Sequence, residues 1–114
     1  MSFFDSEIVR AEMSEISILQ EDIYKDIFRF PFMSNDEKKF HISLLEKLLD
    51  KQKILYTRLS LSDDPEALNM KERMLEAASI MGFSSDIDMN LIFSNMENTI
   101  SMMKNQLDNS EEEE

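Results

Sequence analysis

No cysteine occurs in the 114-residue chain. No disulfide can staple the fold, and no thiolate can act as nucleophile or metal ligand. Glycine occurs once and proline twice, far below average usage of about 7% and 5%. Few turn-formers mean few turns, so the elements must be long. A single glycine also excludes the Gly-rich phosphate loops and nucleotide fingerprints. Val9 is the only valine, and the apolar content sits in Leu, Ile and Met. That composition argues for helix over sheet. No apolar run approaches the roughly 20 residues needed to span a bilayer. The opening Met1-Ser2-Phe3-Phe4-Asp5 lacks the charged and apolar regions of a signal peptide. A cytoplasmic protein with no membrane contact is therefore expected.

Histidine is equally scarce: His41 is the only one. A zinc site or a nucleophile–base pair needs further ligands or a patterned nucleophile. A di-iron helical bundle needs two Glu-x-x-His motifs. One histidine cannot supply them, and Lys38 stands three residues before it. His41 is read as a half-buried packing residue near Tyr24. No catalytic residue, metal ligand or cofactor is expected, and an enzyme reading has no residue cluster behind it.

What the chain does have is acid. Its formal charge is −12, unevenly placed. Residues 5–30 carry three basic and seven acidic groups, net −4. Residues 34–61 carry six basic and four acidic, net +2. Residues 62–107 carry three basic and eight acidic, net −5, and residues 108–114 add −5. A duplex or an anionic membrane would repel such a body, so direct nucleic-acid binding is disfavoured.

The apolar pattern predicts four helices. The first starts near Asp5, or earlier if Ser2 is its cap, with Phe4 and Val9 placed as a hydrophobic staple. It stops near Arg29, because Pro31 disfavours helical geometry at Phe30. Val9, Met13, Ile16, Gln20, Ile23, Ile27 and Phe30 alternate at spacings of 4 and 3, a heptad seam. Ile8, Leu19 and Tyr24 widen it to about half the circumference. The second helix opens on the capping box Ser34-Asn35-Asp36-Glu37 and runs to about Leu59. Its seam is His41, Leu45, Leu48, Gln52, Leu55 and Leu59, flanked by Leu44, Leu49 and Tyr56. The short linker and the opposite net charges of the two segments favour an antiparallel hairpin.

Asp64-Pro65-Glu66 is a strong helix start: Asp64 caps, Pro65 takes the first helical position, and acid sits at the positive end of the dipole. The third helix is expected to bury Ala67, Met70, Met74, Ala77, Ala78 and Met81. Gly82 should end it in the left-handed conformation, with Phe83 supplying the accompanying apolar contact. Ser84 or Ser85 then caps the fourth helix. That helix carries Met89, Ile92, Phe93, Met96, Ile100, Met103 and Leu107 on one face, and the first six form the candidate interaction face. Asp108 to Glu114 reads as an acidic disordered tail following a single helical domain over residues 1–107.

Three sets of residues admit both a structural and a binding reading. Glu12, Gln20 and Gln52 lie within apolar stripes; fixing helix register outweighs contacting a partner. Seven of the ten methionines lie from Met70 onward, where filling the core outweighs lining an adaptable groove. The terminal glutamates read as a solubilising tail before they read as a dock for a basic partner.

The opening Phe3-Phe4-Asp5-Ser6-Glu7-Ile8-Val9, the Leu59–Asp64 stretch, and Met81-Gly82-Phe83 before a Met- and Asn-bearing last helix resemble a family of short helical proteins of unknown function from cyanobacteria and the phages that infect them. The likeness spans about residues 2–107. It implies a cyanobacterial cytoplasm and carries over no catalytic residue.

The expected fold is thus all-α: a long antiparallel hairpin with a shorter helical pair, four-helix and bundle-like. The wide stripes exceed what helices 3 and 4 cover, so a homo-oligomer, a dimer first, is expected. The expected function is non-enzymatic: binding and modulating a host protein complex through helical faces. The alternative is an acidic decoy that occupies the nucleic-acid channel of a polymerase or nuclease.

Overall fold

The computed structural model describes residues 3–80, 82 and 88–113. Four α-helices account for most of them: α1 Glu7–Asp26, α2 Asn35–Leu61, α3 Pro65–Ile80 and α4 Met89–Glu113. Single 3-10 turns at Phe3–Asp5 and Phe30–Phe32 precede α1 and α2. Among the described residues there is no strand. The all-α, four-helix architecture is the one the composition predicts.

Local signals set most boundaries. Ser34 Oγ accepts from the Glu37 N–H at 3.2 Å, one half of the expected capping box. Asp64 Oδ1 accepts from the Glu66 N–H at 2.9 Å, and Pro65 takes the first helical position, where its missing N–H costs nothing. Gly82 follows α3 at φ 101°, a conformation that a Cβ would disfavour.

Several boundaries differ from the sequence reading. Ser6, not Asp5, flanks the start of α1, and its side chain makes no cap bond; Asp5 instead pairs with Arg10 at 3.7 Å. α1 stops at Asp26, and the chain tightens into turns before the Phe30–Phe32 segment containing Pro31. The start of α4 falls at Met89, where Asp88 Oδ1 accepts from the Asn90 N–H at 3.0 Å. Beyond Leu107, where a disordered tail was expected, α4 continues to Glu113; no Pro or Gly follows Leu107 to break it. The expected Ser2 cap, Met81 burial, Phe83 contact, and Ser84 or Ser85 cap lie outside the described residues.

α2 is the centre of the fold, touching α1, α3 and α4. Two rows of ion pairs fix its neighbours. Arg58 and Lys51 reach Glu12 and Glu15 on α1. Lys39, Glu46 and Lys53 meet Asp108, Lys104 and Glu97 on α4. In both rows one helix ascends as the other descends, so both pairings are antiparallel. Lys51 and Lys53 are two positions apart, about 200° around the helix, so α1 and α4 flank opposite sides of α2. The mildly basic segment thus lies between two acidic ones. Exposed pairs of this kind contribute little stability each; their effect is on register.

The molecule measures 55 × 31 × 21 Å. At roughly 10 Å per helix, that is three helices wide and two deep. α1, α2 and α4 form the layer, and α3 lies on one face of it. The expected pairing of helices 3 and 4 gives way to each packing on α2. The main core lies under α3: Leu49, Tyr56, Leu59, Ala67, Ala78, Met89, Ile92 and Phe93. Ile42 and Leu59 are the largest fully buried side chains. Asp64 locks this end, because its Oδ2 accepts from the Phe3 N–H, and Phe3 and Phe4 pack against the core.

The seams are only partly those expected. On α1, Val9, Ile16, Leu19 and Ile23 are buried, whereas Met13, Tyr24 and Ile27 are exposed. The buried stripe is rotated toward the flank that carries Glu12. On α3, Ala67 and Ala78 are buried and Met70 and Met74 half-buried, but Ala77 is exposed. His41 is buried as a packing residue against Phe30, with ring centroids 5.3 Å apart. Tyr24, the neighbour expected for it, is exposed.

Candidate functional site

The six residues expected to form an interaction face on α4 divide into two sets. Met89, Ile92 and Phe93 are buried in this chain's own core, with Phe93 edge-on to Tyr56 at 5.7 Å. They hold α4 on α2. Met96 is exposed, and Ile100 and Met103 are half-buried. These three, together with Met89 and Ile92 at its inner end, line an open groove of about 620 Å3 with Leu45, Leu48 and Gln52 of α2 and Met74 and Ala77 of α3. The groove exists because α3 covers α2 near Leu59 but leaves Leu45 and Leu48 without a helix above them.

Among the described residues no charged side chain lines this groove. Lys39, Glu46, Lys51, Lys53 and Arg58 of α2 are turned to its flanks, where they pair with α1 and α4. The Lys51 ammonium, hydrogen-bonded to Glu15, holds that carboxyl below its ordinary value of 4.5. The hydrogen bond from Lys53 to Glu97 holds the ammonium above its ordinary value of 10.5. Glu12 is the most buried carboxylate of the pairs: Oε1 accepts from Arg58 Nε at 2.9 Å, while Oε2 is buried without a partner. Its position between helices agrees with the register role inferred from the sequence. Gln20 and Gln52 are half-buried.

A second surface lies at the closed end of the α1–α2 hairpin. Phe28 and Phe32 are 88% and 90% exposed, and Tyr24 and Phe40 are 68% and 66% exposed. Phe30, between them in sequence, faces inward: the His41 ring lies on it and Lys38 Nζ stands 5.6 Å from its centroid. Sequence reasoning missed this tip. The signal was available, because Phe28, Phe32 and Phe40 fall outside both helical seams and Phe32 directly follows Pro31. Large aromatics that no amphipathic stripe claims have no core position to fill.

Among the described residues no group of three His, Cys, Asp or Glu side chains is arranged to hold a metal ion. No described helix is long and apolar enough to cross a membrane.

Fold and surfaces together define an all-α, bundle-like chain built on one central helix. Residues 1–107 match the model of a family described as a domain of unknown function (DUF1825), and the chain belongs to that family. No curated protein and no solved structure matches it. Residues 108–114 lie outside the family match.

Proposed function

We propose that this chain is a non-enzymatic interaction protein that binds and modulates a protein complex of a cyanobacterial cytoplasm, whether or not a phage has infected it. The observation that carries this reading is the hairpin tip. Aromatic side chains cost free energy when fully hydrated, and Phe28 and Phe32 are almost wholly exposed without helping the chain's own core. Phe and Tyr are also enriched where protein interfaces are energetically decisive. The tip places them at one end of a molecule 55 Å long, a shape suited to entering a pocket on a larger assembly.

The acidic-decoy reading keeps one observation in its favour. Lys39, Lys51, Lys53, Arg58 and Lys104 each face a carboxylate within the chain. The field beyond the surface is therefore dominated by unpaired acid, which is attracted to basic channels.

One experiment separates the two. The full chain is immobilised, exposed to cyanobacterial lysate, and washed at about 50 mM and about 500 mM salt. A partner retained in stoichiometric amount at high salt supports an apolar contact through the tip. A nucleic-acid enzyme lost at high salt and displaced by DNA supports the decoy. Retention of nothing at either salt refutes both.

A further inference from the structure

The groove on α2 is one part of a larger uncovered face. Met13 of α1 lines a cleft with Met70, Met74 and Ala77 of α3, so the α1 flank bearing Met13 lies on the α3 side of the layer. One heptad further along that flank stands Gln20. The Met13 cleft shares Met74 and Ala77 with the groove, which runs through Leu45, Leu48 and Gln52 to Met96 and Met103. α3 covers one half of this side; the other half is bare.

We propose that a second copy of this chain covers the bare half, forming a two-fold symmetric dimer in which the two bare halves face each other. Three observations favour a copy over a foreign helix. The first is charge. The chain is 32% charged with net −12, yet among the described residues no charged side chain lines the groove. Two copies repel across most of their surfaces and can approach closely here. A basic partner would need acid on this face, and the described residues of the groove offer none.

The second is size. A face as wide as the molecule, 31 Å, along half of α2 at 1.5 Å per residue presents on the order of 600 Å2. Two copies then bury on the order of 1,200 Å2, the lower bound for a stable interface. The third is chemistry. Gln20 and Gln52 set half-buried carboxamides in an otherwise apolar face. A carboxamide both donates and accepts, so it pairs with its own kind across a two-fold axis, as polar seam residues do in coiled coils. The hairpin tip is a separate surface and stays free in such a dimer.

The test is sedimentation velocity of the full chain from 1 to 500 µM, at about 50 and about 500 mM NaCl. A dimer of twice 13.4 kDa is expected, tightening several-fold at the higher salt because the repulsion between like-charged copies is screened. Met96 is 43% exposed, so Met96→Glu leaves the core intact; it should weaken the dimer at least tenfold with unchanged helical circular dichroism. Leu48→Glu should do the same, and if it fails to fold, Met96→Glu carries the test. A monomer at 500 µM in both salts overturns the proposal, as does a dimer that tolerates Met96→Glu or loosens as salt is added. Loss of the tip-dependent partner leaves these outcomes unchanged, so the two claims fail separately.

Discussion

Arg58 donates its Nε–H to Glu12 Oε1 across the α1–α2 interface, and the other oxygen of that carboxylate is buried without a partner. Glu12 is therefore desolvated for the sake of one contact. Removing Arg58 leaves the carboxylate less compensated, so Arg58→Met should cost about 1–3 kcal/mol. Replacing both partners, Glu12→Met with Arg58→Met, should be close to neutral. Urea unfolding of the four members of this double-mutant cycle measures the difference. Equal losses in the single Arg58 variant and the double variant would show that the pair itself is favourable.

Asp64 ties together two segments 61 residues apart. One carboxylate oxygen caps α3 through Glu66, and the other accepts from Phe3. Asp64→Ala should cost about 1–2 kcal/mol and release the Phe3–Asp5 turn. Faster amide exchange at Ser6 and at the first residues of α3 would check this. Ser62→Ala, which removes only an acceptor for the Asp64 N–H, should leave exchange at Ser6 unchanged.

Core and tip should respond in opposite ways to truncation. Leu59→Ala removes one of the two largest fully buried side chains and should cost about 2–5 kcal/mol. Phe32→Ala removes a larger side chain from an exposed position and should shift stability by less than about 0.5 kcal/mol. Thermal unfolding of the two variants in parallel gives the comparison.

The ion pairs predict a pH window. Glu15 is held low by Lys51, so its contribution is present above the ordinary value of 4.5 and disappears as pH falls through the lower folded-state value. Lys53 is held high by Glu97, so its contribution is present below 10.5 and disappears as pH rises through the higher folded-state value. Both groups are exposed, and the effects are small. Carboxyl NMR titration should find Glu15 below 4.5 in the native chain and returned toward it in Lys51→Met.

Helix punctuation was legible in the sequence where a single side chain decides the backbone. Ser34 satisfies a free N–H at the start of α2, Asp64 and Pro65 open α3, and Gly82 takes the left-handed position that follows it. Helix orientation was less legible. The stripe on α1 spans half the circumference, so sequence alone could not choose between the Met13–Ile27 edge and the Glu12–Leu19 edge. The pairing of Glu12 and Glu15 with α2 turns the second edge inward. The same limit applied to α4. Its apolar face was correctly placed on one side, but Met89, Ile92 and Phe93 became core because α3 closes over them, whereas Met96 and Met103 extend past its end. Charge segregation agreed with the pairing of α1 and α2, but it did not reveal that α4 lies along the other flank of α2.

The central claim is that the aromatic tip binds a partner, and it is tested most directly by Phe28→Ser/Phe32→Ser/Phe40→Ser in the full chain. The variant is immobilised beside the native protein and exposed to the same lysate at high salt. The partner should be retained by the native chain and lost from the variant, with helical circular dichroism and unfolding temperature unchanged. Equal retention by both would contradict the claim and return the contact to another face of the bundle.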